Sequence, residues 1–212
     1  MSLNLPRVYP ITDTTICSLT HAEQVDRLLA GGATLIQLRE KKGSARTFFE
    51  DATVALRHAR QAGTTTIIND RVDIALALGA DGVHLGQWDM PVPAARQLLG
   101  PDAIIGYSTH NLDQVRAALE LPIDYLAFGP VFETRTKKDP DPTAGLDALH
   151  QAKLLAGRIP LVAIGGIQRR NLNDVLANGA DAAAMISEIL TPAENIPGNL
   201  GELLSLATSQ RG

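Results

Sequence analysis

The chain has 212 residues, with 19 Lys and Arg against 23 Asp and Glu and a net charge of −4 when histidine is neutral, which excludes a nucleic-acid binder working through bulk positive charge. A 45% hydrophobic share beside 20% charged residues fits a chain that buries a sizeable core and excludes a disordered one. Aromatics at 4% are too few for a base-stacking surface. The single cysteine, Cys17, cannot form an internal disulfide. No apolar run reaches the roughly 18 residues of a membrane span or resembles a signal peptide. The expectation is a soluble, cytoplasmic protein with no nucleic-acid and no membrane partner.

Short β-like runs fall at 8–12, 35–38, 66–68, 82–85, 104–107, 125–128, 161–164 and 182–186. Between them apolar residues recur at helical spacing, as in Val25, Leu28 and Leu29 or Val115, Ala118 and Leu119. This alternation predicts parallel strands joined by crossover helices. Eight repeats of roughly 25 residues fit a closed (β/α)8 TIM barrel of the α/β class better than a doubly wound sheet of six or seven strands. An echo supports the repeat: Ala30-Gly31-Gly32-Ala33, Leu78-Gly79-Ala80-Asp81 and Asn178-Gly179-Ala180-Asp181 each sit between a helix-like stretch and a strand, where glycine ends a helix in the left-handed conformation. No Pro-rich or low-complexity linker divides the chain, so one domain over 1–212 is expected.

In such a barrel the chemistry sits on the loops after the C-terminal strand ends. After the second strand, the two-residue period puts Gln37, Arg39 and, if the extended conformation continues that far, Lys41 on one side and Ile36 and Leu38 on the other. An amide and two cations then face the barrel mouth, a row that suits a polyanion; the alternative is a solvated strand end. The third strand ends in Asn69-Asp70, and Asp89 lies in the loop after the fourth. Adjacent strands lie roughly 5 Å apart, so both carboxylates can converge on a hard cation such as Mg2+. Alternatively, Asp70 caps a helix beginning near Arg71, and Asp89 caps one entered at Pro91.

Ser108-Thr109-His110 follows the fifth strand, and a long polar loop with Thr134, Thr136 and Lys137 follows the sixth. That loop has the length of a binding lid, with hydroxyls and lysines for phosphate; otherwise it is an exposed lysine-rich connection. Gly165-Gly166 after the seventh strand and Ile186-Ser187 after the eighth stand where many barrels hold phosphate on backbone N–H groups. His84, inside a strand, reads as a packed core histidine and Cys17 as an inert thiol. Trp88 either covers a ligand or packs locally.

Taken in order, these motifs resemble the thiamin-phosphate synthase family. The resemblance runs from Tyr9-Pro10-Ile11-Thr12-Asp13 to Ile186-Ser187. It takes in Gln37-Leu38-Arg39-Glu40-Lys41, Asn69-Asp70-Arg71, Gly82-Val83-His84-Leu85-Gly86-Gln87, Ser108-Thr109-His110, Gly129-Pro130-Val131-Phe132, Thr134-Arg135-Thr136-Lys137 and Ala163-Ile164-Gly165-Gly166-Ile167. Ala184-Met185, where Val or similar residues are common, is one small departure. The resemblance implies a TIM-barrel transferase that joins 4-amino-5-hydroxymethyl-2-methylpyrimidine diphosphate to a thiazole phosphate or its carboxylate, giving thiamin phosphate and pyrophosphate. It implies that Gln37, Arg39, Lys41, Asn69, Ser108 and Lys137 hold the pyrimidine diphosphate, with Lys137, Ser108 and Arg39 acting in catalysis. It implies Mg2+ on Asp70 and Asp89, and the thiazole phosphate on Thr134, Thr136, Gly166, Ile186 and Ser187. A thiazole tautomerase of the same superfamily is the alternative; it needs no diphosphate site, so the joint presence of these groups favours the transferase. A phosphosugar isomerase would place a clear acid/base pair at the centre, and none is found. A non-catalytic sensor of phosphate ligands is separated from the enzymes by measured turnover.

Overall fold

A computed structural model of the chain describes residues 3, 5–134 and 141–208; Thr136 and Lys137 lie outside them. Eight strands, β1 (Val8–Asp13), β2 (Leu35–Arg39), β3 (Thr65–Asn69), β4 (Gly82–Leu85), β5 (Ile104–Thr109), β6 (Tyr125–Phe128), β7 (Leu161–Ile164) and β8 (Ala182–Met185), are joined in sequence order into a closed barrel. Each is parallel to its neighbours, and β8 returns to pair with β1. Helices α1 (His21–Ala30), α2 (Ala45–Gln61), α3 (Val72–Leu78), α4 (Val92–Leu99), α5 (Leu112–Ala118), α6 (Gly145–Ala156) and α7 (Leu172–Ala177) make the crossovers. A four-residue α8 (Ser187–Leu190) follows β8, and α9 (Ile196–Thr208) closes the outer ring.

All eight predicted strands are present, and the differences at their ends are informative. β1, β2, β3 and β5 run on through Asp13, Arg39, Asn69 and Ser108-Thr109, polar residues that an apolar pattern does not register. Their pairing continues, with Asp13 opposite Arg39, Asn69 opposite His84 and Thr109 opposite Phe128. Polar groups of the mouth therefore stand on paired strands rather than on loose loops, which fixes their positions. Ile186 leaves β8 and instead precedes the first turn of α8.

The two-residue alternation of each strand divides the core. Tyr9, Ile11, Leu35, Ile67, Tyr125, Ala127, Val162, Ala182 and Ala184 fill the barrel interior, whereas Val8, Ile36, Leu38, Ile68, Val83, Leu85, Ile105, Leu126, Phe128 and Ala163 face the helices. Full burial of each large side chain contributes about 1.5–3 kcal/mol. Two tyrosines occupy much of the interior, their rings edge to face at 6.1 Å. Room for Tyr125 comes from Gly106 on β5, where a Cβ would collide with the tyrosine ring.

The sequence echo has a structural counterpart at the N-terminal end of the barrel. Gly79 and Gly179 take φ of 59° and 100°, and the aspartate two residues later reaches the neighbouring strand. Asp81, just before β4, accepts Thr66 N–H at 2.7 Å; Asp181, just before β8, accepts Leu161 N–H at 2.7 Å. Asp124, just before β6, accepts Ile105 N–H at 2.8 Å. One carboxylate thus satisfies a strand donor before each even-numbered strand from β4 on.

Candidate active site

Read strand by strand, the inward positions at the C-terminal end are Asp13, Gln37, Arg39, Asn69, His84 and Ser108. Arg39 is held by Asp13, which is buried and also accepts Thr15 N–H at 2.8 Å and Thr15 Oγ1–H at 2.6 Å. A buried carboxylate clamped from several sides orients the guanidinium, leaving the rest of its planar fork for an anion. Asp13 is a site residue that the sequence reading missed; its inward parity on β1, opposite Arg39, was the signal. Gln37 is buried and donates Nε2–H to Tyr9 Oη at 3.1 Å. Asn69 is buried at the end of β3.

Beyond β2 and β3 the charges gather. Lys41 Nζ pairs with Asp70 Oδ2 at 2.5 Å. Asp70 has φ of 61°, the single non-glycine residue with positive φ among those described, and its N–H donates to His84 O at 2.8 Å. Asp89 accepts Gly86 N–H at 2.7 Å. Burial pushes the Asp89 carboxyl above its usual range, Gly86 N–H opposes this, and the adjacent Asp70 carboxylate raises it further. Two acids are therefore brought together against their mutual repulsion.

Neither is spent on a helix. Arg71 stands at the N-cap of α3 and Pro91 at that of α4, and neither helix has a side-chain cap, so the capping alternative for Asp70 and Asp89 is corrected. Their oxygens are hard donors that fit a divalent cation completed by substrate phosphate and water. No group of three or more His, Cys, Asp or Glu that could hold a metal occurs among the described residues.

Next to this cluster, Ser108 Oγ lies 2.8 Å from His84 Nε2, and Gln87 Nε2–H donates to Ser108 O at 2.7 Å. His84 is 7% exposed. Burial depresses its pKa to about 4, with Asp70 opposing and Lys41 adding to the shift, so the ring is neutral near pH 7. As expected it is packed, stacked on Tyr125 at 5.5 Å, but it is also tied to the site.

The opposite half of the mouth belongs to β6, β7 and β8. Gly165 and Gly166 have φ of 96° and 64°. Phe132 N–H donates to Gly165 O at 3.0 Å, drawing the segment before Thr134 against this turn. A Cβ at Gly166 would collide with Glu133 O and Phe132. Ile186 precedes α8, whose exposed first residue is Ser187, and first-turn N–H groups have no acceptor within a helix. Arg169 N–H donates to Glu188 Oε1 at 3.2 Å, linking the loops after β7 and β8. Trp88, at 98% exposed, packs on nothing substantial among the described residues. Cys17 is a free thiol packed partly against the core.

A closed parallel barrel with paired acids and cations on one side of its mouth and a glycine turn on the other defines a (β/α)8-barrel protein built for charged small molecules. Sequence comparison makes this specific. The sequence model described as thiamine monophosphate synthase matches residues 8–189, and the chain belongs to that family. It is 44% identical to a thiamine-phosphate synthase of Koribacter versatilis over 195 residues, covering 89% of this chain and 90% of that one. It is 42% identical to a thiamine-phosphate synthase of Syntrophomonas wolfei over 197 residues, covering 92% and 93%. The solved thiamine phosphate pyrophosphorylase from Pyrococcus furiosus superposes with a TM-score of 0.86 at 35% identity, covering 97% of each chain.

Proposed function

We propose that this chain is a thiamin phosphate synthase, transferring the (4-amino-2-methylpyrimidin-5-yl)methyl group from its diphosphate to the nitrogen of a thiazole phosphate. The observation that carries the reading, beside family membership, is the convergence of Arg39, Lys41, Asp70 and Asp89 in one half of the mouth. Breaking a carbon–oxygen bond to diphosphate requires charge stabilisation on the leaving group. Arg39, preset by Asp13, and Lys41 supply positive charge there. Lys137, in the loop after β6, is assigned to the same diphosphate. Gln37, Asn69 and Ser108 orient the pyrimidine portion. The electron-rich aminopyrimidine stabilises the resulting cationic methylene, which the thiazole nitrogen captures, so no protein nucleophile is required.

Asp70 and Asp89 would hold Mg2+, which when bound supplies Lewis-acid stabilisation of the departing phosphates. Thr134, Gly166, Ile186 and Ser187 hold the thiazole phosphate on the opposite half, bringing the two substrates into line, and Thr136 is assigned to the same phosphate by the family resemblance. No helix among the described residues is long and apolar enough to cross a membrane. A cytoplasmic location is part of the proposal.

Product analysis tests this reading. Purified protein given both substrates and Mg2+ should form thiamin phosphate and pyrophosphate in equal amounts. Isomerisation of a thiazole without pyrophosphate would replace the synthase with a tautomerase.

A further inference from the structure

A hydrogen-bonded chain crosses the barrel interior beneath the site, through residues up to 116 apart in sequence. Gln37 Nε2–H donates to Tyr9 Oη at 3.1 Å. Tyr9 Oη lies 3.1 Å from Tyr125 Oη, Tyr125 Oη lies 2.9 Å from His84 Nδ1, and His84 Nε2 lies 2.8 Å from Ser108 Oγ. Tyr9 and Tyr125 are essentially without solvent contact, so each buried phenol proton needs an acceptor inside the chain.

That requirement sets the direction. With Gln37 donating to Tyr9, the Tyr9 proton goes to Tyr125 and the Tyr125 proton goes to His84 Nδ1. A neutral imidazole that accepts at Nδ1 carries its proton on Nε2, and Nε2–H then donates to Ser108 Oγ. With the Gln37 amide in this orientation, the reverse direction would bring Tyr9 Oη protons from both Gln37 and Tyr125 and leave its own proton without an acceptor. A buried donor left unmade is the costly outcome. The packing holds this geometry: Gly106 clears space for the Tyr125 ring, and His84 stacks on that ring with an interplanar angle of 25°.

We propose that His84 is a positioning residue: held by Tyr125 as the Nε2–H tautomer, it occupies an accepting site of Ser108 Oγ and turns the serine proton toward the barrel mouth. Ser108 is thereby a hydrogen-bond donor to an acceptor lone pair of the bound substrate and discriminates against an N–H group at that point. The substrate contact rests on the synthase reading, whereas the tautomer does not.

Two measurements test it. In protein labelled with 15N-histidine, the His84 resonances, assigned by their loss in His84→Gln, should show a protonated Nε2 and an unprotonated Nδ1 in the absence of any substrate. An Nδ1–H tautomer, a mixture or an imidazolium overturns the proposal. In kinetics, Tyr125→Phe frees the imidazole to adopt either tautomer and should lower kcat/KM about tenfold, the equivalent of one well-made hydrogen bond. In a Ser108→Ala background the same change should cause no further loss, because the proton it positions is gone. Multiplicative losses would mean that Tyr125 acts through packing alone, and would overturn the proposal. Absence of turnover in the wild-type protein overturns the synthase reading instead and leaves the NMR result to decide the relay.

Discussion

Asp70 sits in a backbone conformation that residues other than glycine, asparagine and aspartate rarely adopt. Such strain persists where the surroundings impose it, and here it aims a carboxylate at Asp89 and Lys41. Asp70→Asn tolerates the same φ and loses only a half-exposed ion pair, worth less than about 1 kcal/mol. Denaturant unfolding should therefore shift little in Asp70→Asn and in Asp89→Asn, while turnover falls about a hundredfold, at least what loss of an outer-shell metal partner costs. Wild-type turnover in both variants would remove the metal assignment. His84 gives a second expectation at this scale. Its pKa is about 4 when folded against an ordinary 6.5, so between these values the unfolded chain binds the extra proton. The neutral burial is without penalty above pH 6.5; stability declines as pH falls toward 4 and levels below it, by up to about 3 kcal/mol from this group. Paired melts of wild type and His84→Gln across pH 4 to 7.5 check it, and the difference between them should contract toward low pH.

At the scale of elements, the two ends of the barrel carry different duties. The carboxylates of Asp81, Asp124 and Asp181 satisfy strand donors at the end away from the site. Asp181→Ala leaves Leu161 N–H and Lys153 without their partner; it should cost about 1–3 kcal/mol in denaturant unfolding and leave KM for both substrates unchanged. A changed KM with unaltered stability would reverse the division of labour. The Gly165-Gly166 turn belongs to the other end, and there fold and binding share one residue. Positive φ and the approach of Glu133 O and Phe132 mean that Gly166→Ala should itself cost about 1–3 kcal/mol. Calorimetry on the folded fraction should still show thiazole phosphate binding weakened more than pyrimidine diphosphate binding; equal weakening would argue against separate subsites.

For the molecule as a whole, the barrel was legible because each strand has a short apolar run and each helix an apolar stripe, both local patterns. The placement of Arg39 at the mouth was legible by parity, and that of Lys41, Asp70 and Asp89 by their position after a strand; β2 ends at Arg39, so parity does not extend to Lys41. Asp13 escaped because hydrogen-bond pairing carries it into β1 where hydrophobicity has stopped. The line from Gln37 through Tyr9, Tyr125 and His84 to Ser108 escaped for a different reason: its members come from five strands and meet only when the barrel closes. In the proposed reaction, one mouth brings a diphosphate, Asp70, Asp89 and a thiazole phosphate together so that pyrophosphate departs and the thiazole nitrogen captures the cationic methylene left behind. Its most direct test is single-turnover release of pyrophosphate by the purified protein with both substrates, with Mg2+ and after chelation. One pyrophosphate per thiamin phosphate is expected with Mg2+ present, and near-complete loss of both products after chelation. Equal rates with and without the cation, or no pyrophosphate from the wild-type protein under any condition, would contradict the proposed reaction.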